Sequence, residues 1–257
     1  MGVSLFIPVY NASRYIRTTV KKSCEALSQL GGDFEIILVD DNSQDKSYRF
    51  GAVLNKAVYA SGKAVQWVTN DNGPSRRENL AKWFFEAKYD IICFLDVDLS
   101  RGISYLPQAI TLLQKDSADV VIGSRYAKGA SVQRSLARVI LSFFYNLTIR
   151  LLFRSKIKDH QCGLKVFRKS SGLPVVKSMG YDTSFNRGWF WDAEFLVRAQ
   201  MAHLKIIEMP VSWYDPRAST FNLLREQKCI KAILQLWQKL YFDLGTLKER
   251  AELSRRP

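Results

Sequence analysis

Two acidic clusters stand directly after short apolar runs in the first hundred residues. Asp40-Asp41-Asn42-Ser43 follows the run 34–39, and Asp96-Val97-Asp98 follows the run 91–95. In an extended segment, residues i and i+2 point the same way, with Cα atoms about 6–7 Å apart. Asp96 and Asp98 are therefore expected to converge on one hard divalent cation, Mg2+ or Mn2+, which also accepts diphosphate oxygens. Short Asp clusters serve equally as caps and turn formers, but two of them at strand ends of one sheet favour chemistry. Further along come Arg125, Arg134 and Arg138. The planar guanidinium fork binds two phosphate oxygens at once. Read as one helix, 131–154 puts Arg134 and Arg138 on a shared face near the N-terminus, where free N–H groups favour anions. Asp192 and Glu194 open a later helical run, and one of them or Asp159 would have to act as general base if the acceptor were a hydroxyl. A phosphate acceptor is already ionised at neutral pH and needs no base.

Those residues need elements to hold them. Apolar runs 3–9, 34–39, 64–69, 91–95 and 120–122 read as strands, and segments 12–30, 47–60, 76–87 and 106–114 read as helices. The strands are nearly continuous apolar runs, the pattern of a sheet covered on both faces. Alternation of strand and helix predicts an α/β fold with a mostly parallel, doubly wound sheet and right-handed crossovers. Ligands in such sheets bind beyond the carboxyl ends of the strands. Beyond residue 130, apolar residues recur at helical spacing, at Leu136, Ile140, Phe143, Phe144, Leu147 and Leu151 and again at Ile230, Ile233, Leu234, Trp237, Leu240, Tyr241 and Leu244, with Arg and Lys beside them. The first of these carries more apolar surface than one buried stripe needs, which suits a helix lying in the headgroup region of a membrane.

The 257 residues suffice for one large domain or two small ones. Hydrophobic residues at 47% and charged residues at 24% exclude wholesale disorder. Lys+Arg number 38 against 24 Asp+Glu, a net charge of +14 that favours an anionic partner. No nucleic-acid-binding motif accompanies that charge, so nucleic acid is not the expected partner. Cys24, Cys93, Cys162 and Cys229 have no paired spacing, which argues against a zinc site or disulfide framework and for a reducing compartment. No signal peptide is expected. The apolar stretch 139–153, interrupted by Asn146 and Arg150, falls short of the roughly 20 residues that span a bilayer, so no transmembrane helix is expected either.

Taken in order, Ile7-Pro8-Val9-Tyr10-Asn11, Val39-Asp40-Asp41-Asn42-Ser43 with Asp45, and Asp96-Val97-Asp98 resemble family 2 glycosyltransferases of the GT-A fold. Gly123-Ser124-Arg125-Tyr126, Arg134-Ser135-Leu136-Ala137-Arg138, Asp159-His160-Gln161-Cys162-Gly163-Leu164-Lys165, Trp191-Asp192-Ala193-Glu194 and Pro210-Val211 resemble the dolichyl-phosphate sugar synthases, most closely the dolichyl-phosphate β-glucosyltransferase branch. The resemblance implies a domain over 1–220, with a donor half 1–125 and an acceptor half 126–220, followed by an amphipathic helix and tail over 221–257. It implies metal-dependent, inverting transfer of a hexose from a nucleotide sugar, UDP-glucose first and GDP-mannose second, to a polyprenyl or dolichyl phosphate at the cytoplasmic membrane face. Donor binding would fall to Pro8, Val9, Tyr10, Asp40, Asn72, Arg76 and Val97, and the metal to Asp96 and Asp98. The acceptor phosphate would meet Arg125, Arg134, Ser135, Arg138 and Arg217, with Asp159 as a further catalytic acid. The chain departs from the family pattern at Ser100, where many relatives have Gln, in the loop Asn72-Gly73-Pro74-Ser75-Arg76-Arg77, which lacks a second glycine and in which Arg76 or Arg77 would reach the diphosphate, and at Arg217-Ala218-Ser219-Thr220, which lacks the family's lysine.

Overall fold

The computed structural model describes residues 2–54, 64–71, 73, 77–98, 102–115, 118–181, 187–188, 190–215 and 223–242. Strands β1 (Val3–Val9), β2 (Phe34–Asp40), β3 (Ala64–Thr69) and β4 (Ile91–Leu95) fall where the apolar runs predict them, with helices α1 (Ser13–Ser28), α2 (Tyr48–Leu54) and α3 (Arg77–Trp83) between them. Helix α4 (Leu106–Gln114) and strand β5 (Val120–Ser124) also match expectation. Beyond them lie β6 (Ser131–Arg134), α5 (Leu136–Phe153), β7 (Leu164–Arg168), α6 (Lys169–Met179), α7 (Phe190–Met201), β8 (Ile206–Pro210), β9 (Ser212–Asp215) and α8 (Leu223–Phe242).

Among the described residues, the main sheet has the order β3-β2-β1-β4-β7-β5-β8. Its pairs are parallel except at β7, which runs antiparallel to both β4 and β5. One core cluster joins the sheet to α1 and α4 through residues such as Ile16, Val20, Leu106 and Ile110. On the opposite face a second cluster joins it to α3, α6 and α7 through Leu80, Val175, Trp191 and Phe195. A layer of helices on each face explains why the strands read as unbroken apolar runs. Strand order reverses between β1 and β4, the switch point beyond whose carboxyl ends sheets of this kind bind ligands.

Two expectations for the second half are corrected. Residues 131–134 are not the start of a helix. They form β6, which pairs in parallel with β9, and α5 begins only at Leu136 with Ser135 as its N-cap. Arg134 and Arg138 therefore do not share a helix face; Arg134 ends a strand and Arg138 lies in the first turn of α5. The second correction concerns length. With Leu136 at its start, α5 has 18 residues and is long and apolar enough to cross a membrane by length and composition. Asn146, counted as an interruption, is turned inward and buried.

Helix α5 is inverted relative to an ordinary surface helix. Its buried stripe, Ser142, Asn146, Ile149 and Phe153, is half polar. Its outer side is apolar, with Leu136 73% exposed and Leu151 71%, and with Ile140, Phe143 and Phe144 between them. Ile149 and Phe153 join a third cluster with Phe190, Ala193 and Val197 of α7 and with Ala232, Ile233, Leu236 and Leu240 of α8. Ile230 and Leu234 of α8 are also exposed.

The loops after β1 and β2 are laced together at the sheet rim. Asn11, at φ +48°, accepts hydrogen bonds at Oδ1 from the backbone N–H groups of Gln44 (2.8 Å) and Asp45 (3.1 Å). Ser47 Oγ accepts from the N–H of Ala12 and Asp45 Oδ2 from that of Ser13, so the second loop caps α1. Asn tolerates a left-handed backbone better than Ala does. Asn11→Ala should lower the unfolding free energy by about 2 kcal/mol in urea denaturation, through lost hydrogen bonds and backbone strain. Asn11→Gly, which relieves the strain alone, should cost less.

Candidate active site

On the donor side, the β1 terminus presents a half-buried Pro8 and an exposed Tyr10, whereas Val9 turns its side chain into the core. Asp40, at the end of β2, is buried, and its Oδ1 accepts from Ser43 Oγ (2.5 Å) and Ser43 N–H (3.2 Å). Burial raises its pKa against the pull of those bonds. Asp41 accepts from Asn79 Nδ2 (2.5 Å), and Asn79 Oδ1 accepts from the Tyr181 hydroxyl (2.9 Å). A Cβ at Gly73 would collide with the backbone carbonyl of Asp41, so only glycine fits where the chain after β3 crosses this loop. The side-chain N–H2 of Asn70 is buried there without a partner among the described residues.

The second acidic cluster is held from several sides. β4 ends at Leu95, and residues 97–98 form a turn, so the extended geometry expected to align Asp96 with Asp98 is absent. The turn is fixed instead by its backbone. The N–H of Asp96 donates to the carbonyl of Gly163 (3.2 Å), and Thr19 Oγ1 of α1 donates to the carbonyl of Val97 (2.7 Å). Arg77 does not point freely toward a diphosphate. Its Nη2 donates to Asp96 Oδ1 (2.9 Å) and its Nε to Asp192 Oδ2 (3.3 Å), and Asp192 Oδ1 accepts from Lys165 Nζ (2.7 Å). Burial would raise the Asp192 pKa, but Arg77 and Lys165 hold it below the usual carboxylate range.

This series, Lys165–Asp192–Arg77–Asp96, has alternating sign and joins four elements. Its members were not foreseen as a group, although a lysine inside the apolar run Leu-Lys-Val-Phe is itself a signal that a buried acid must face it. Among the described residues, no group of three or more His, Cys, Asp or Glu side chains gathers to hold a metal. The donor set nevertheless suits a hard cation. Asp96 and Asp98 are partly exposed, and Arg77 takes Asp96 through Oδ1.

On the acceptor side the central contact is ionic and buried. Arg125 Nε and Nη2 each donate to Asp159 at 2.7 Å, and the Arg125 backbone N–H adds a third bond at 2.9 Å. Asp159 is 0% exposed. Burial alone would raise its pKa, yet Arg125 holds it lowered. The opposite face of Arg125 lies 5.4 Å from the Trp213 ring centroid. As placed, Asp159 orients Arg125 and has no path to a proton on a substrate. Asp192 is engaged as described, and Glu194 is paired with Arg187 (2.9 Å) and Arg198 (2.8 Å). None of the three carboxylates considered as a general base is unpaired.

Arg134 is different. Burial lowers its pKa, and Arg125 and Arg138 lower it further by repulsion, which places three arginines within electrostatic reach of one another. Arg134 Nε and the neighbouring Ser135 Oγ are buried with no hydrogen-bond partner among the described residues. Ser135 is the N-cap of α5, and its side chain makes no capping bond. Repulsion among arginines, two unsatisfied donors and a helix N-terminus thus coincide. Asn72, Arg76 and Arg217, together with Ser100, lie outside the described residues.

Residues 4–172 match Glycosyl transferase family 2. The chain belongs to that family. Family members similar to it include the glycosyltransferase AglD of Haloferax volcanii, 31% identical over 242 residues, covering 93% of this chain and 37% of AglD. The chain thus spans little more than a third of that relative. The dolichyl-phosphate beta-glucosyltransferase of Saccharomyces cerevisiae is 26% identical over 238 residues, covering 86% of this chain and 69% of the yeast protein. That branch is the one the motifs pointed to. Among solved structures, glucosyl-3-phosphoglycerate synthase from Mycobacterium tuberculosis, in complex with Mn2+, UDP-glucose and phosphoglyceric acid, superimposes with TM-score 0.63 at 16% identity over 91% of this chain and 79% of the other. TarS of S. aureus gives 0.60 at 15% identity over 99% of this chain and 69% of the other. The fold is GT-A, with the mostly parallel sheet the sequence predicts.

One pH dependence follows from the loop between these two clusters. The buried imidazole of His160 is pushed down to about 4 from its ordinary value near 6.5, chiefly by desolvation. Between those values the unfolded chain takes up a proton that the folded chain refuses. Stability contributed by the neutral ring is therefore complete above pH 6.5 and is lost as pH falls toward 4, by about 3 kcal/mol. Urea denaturation as a function of pH should show this limb, and His160→Asn should flatten it.

Proposed function

We propose that the protein transfers a hexose, glucose before mannose, from a nucleotide sugar to a polyprenyl or dolichyl phosphate at the cytoplasmic face of a membrane, with inversion at the anomeric carbon. One observation carries the reading: Arg134 Nε and Ser135 Oγ, buried without a partner among the described residues and repelled by Arg125 and Arg138, immediately precede Leu136, where the exposed apolar side of α5 begins. A phosphate ester on an apolar chain matches both features at once. Its charge satisfies the arginines and the free N–H groups of the helix, and its hydrocarbon suits the surface that starts at Leu136. The names of the yeast relative and of an undecaprenyl-phosphate 4-deoxy-4-formamido-L-arabinose transferase, 29% identical over 168 residues and 49% covered, support such an acceptor.

The donor would lie in the crevice between the ends of β1 and β4. Pro8 and Tyr10 would line the base, with Asp40 and the unpaired amide of Asn70 available to its polar edge. Asp96 and Asp98 would hold Mg2+ or Mn2+ together with diphosphate oxygens. That ion, when bound, neutralises charge on the departing nucleoside diphosphate. Arg134, Ser135 and Arg138 would hold the acceptor oxygen in line with the anomeric carbon, and Asp159 would keep Arg125 in place beside them. A phosphate acceptor is ionised without help, which agrees with paired carboxylates at every candidate base position. Transfer to a hydroxyl would demand one of those carboxylates unpaired.

Arg138, Arg150 and Arg154 flank the apolar side of α5, a distribution suited to anionic headgroups around an embedded helix. The protein is read as peripheral on the membrane, with α5 lying along the surface and held to the fold by its polar stripe.

With UDP-[14C]glucose and Mn2+, the label should move into the organic phase in the presence of a polyprenyl phosphate; label confined to water-soluble product would refute this acceptor. UDP-glucose with Mn2+ should raise the melting temperature of the wild type, and Asp98→Ala should lose most of that rise. On vesicles with anionic lipid, Phe143→Ser/Phe144→Ser should weaken cosedimentation about ten-fold through lost apolar burial, with melting temperature unchanged because both rings are exposed.

A further inference from the structure

The polar half of the buried stripe of α5 is not generic packing. Ser142 Oγ lies 2.6 Å from the hydroxyl of Tyr126, the residue after Arg125, and accepts from Arg134 Nη1 (3.4 Å). One turn further, Asn146 Oδ1 accepts from the backbone N–H of His160 (2.9 Å), the residue after Asp159, and meets the ring Nδ1 of the same residue (2.9 Å). Asn146 Nδ2 donates to the carbonyl of Ser142 (2.7 Å). A backbone N–H can only donate, so the amide orientation is fixed, and the His160 Nδ1 must carry the proton. His160 Nε2 is then left to accept from Ser155 Oγ (2.9 Å), and Ser155 Oγ in turn accepts from the N–H of Ile157 (3.3 Å). Every polar atom of this buried set is matched to one arrangement.

Hydrogen bonds of this kind fix register, whereas apolar contacts tolerate sliding at small cost. Both attachments fall one residue beyond a member of the Arg125–Asp159 pair. The phosphate site proposed above would be assembled from two pieces, the segment Arg134–Ser135 that leads into α5 and the sheet rim after β5 with Arg125. We propose that Asn146 and His160, with Ser142, are positioning residues that set the distance between the lipid-facing helix and the Arg125–Asp159 pair, and so determine acceptor affinity. This rests on the acceptor-phosphate reading given above. A stripe that served only to keep α5 folded would be met more cheaply by apolar residues, and loosening it would affect donor and acceptor alike.

The test compares farnesyl phosphate and UDP-glucose as separate probes, by calorimetric affinity for each and by the acceptor KM in transfer. Asn146→Leu should weaken farnesyl phosphate binding and raise the acceptor KM about ten-fold or more, since small misplacements of a positioning element are costly. UDP-glucose affinity should change less than about two-fold, the spread expected of an undisturbed site. His160→Asn keeps an N–H where Nδ1 donates and should remain near wild type, whereas His160→Phe should resemble Asn146→Leu. If Asn146→Leu does not fold, Ser142→Ala provides the same comparison with a smaller acceptor-selective loss. Equal loss for both probes, or unchanged farnesyl phosphate affinity in folded Asn146→Leu, overturns the positioning role while leaving the acceptor reading intact. A wild type that binds UDP-glucose but no farnesyl phosphate overturns the acceptor reading and this inference with it.

Discussion

A carboxylate without solvent contact stays ionised in the second half of this molecule because one guanidinium takes both of its oxygens. The Arg125–Asp159 pair joins β5 to the loop that precedes β7, residues 34 apart in sequence. Breaking one side of such a pair strands a buried charge at a cost of about 3–5 kcal/mol. The loop so anchored then serves two neighbours. Through Gly163 its backbone holds Asp96, and through His160 its backbone and ring meet α5. The acidic rim after β4 and helix α5 are thereby referred to a single fixed strip of chain.

Charge is arranged differently on the two sides. Around the donor acids it alternates, Lys165 to Asp192 to Arg77 to Asp96, and each ion is matched by its neighbours. Matched buried ions give geometry rather than binding strength. Around the start of α5 it does not alternate. Arg134 repels Arg125 and Arg138, and two donors lack acceptors. Two buried donors left without acceptors beside mutually repelling arginines are what the proposed acceptor phosphate would satisfy. The overall +14 reinforces attraction to an anionic surface without choosing the spot.

How much of this the sequence carried depends on the range of each interaction. The first half was legible because strands covered on both faces must be apolar throughout, and the helices between them are amphipathic. Ser131–Arg134 was misread because a short strand in a two-stranded pair, half exposed, has little pattern of its own and runs into a strongly helical segment. β7 went unassigned because Lys165 interrupts its apolar run, and the acid that neutralises Lys165 comes 27 residues later. Family motifs singled out Asp159 and Arg125 separately. Their pairing, which turns an expected acid into a brace, is a tertiary fact that no local spacing encodes. The inverted polarity of α5 was legible in part: its surplus of apolar residues showed in the sequence, but which side faced inward depended on Tyr126 and His160.

The reversed strand β7 has a mechanical meaning. Lying between β4 and β5 and bonded to both, it stitches the strands that end at Asp40 and before Asp96 to the strand that ends before Arg125 into one continuous sheet. Such an architecture lacks the flexible seam about which two lobes could open and shut. On the proposed function, the spacing between sugar donor and lipid phosphate would then be set once, when the chain folds, and not by a hinge between lobes.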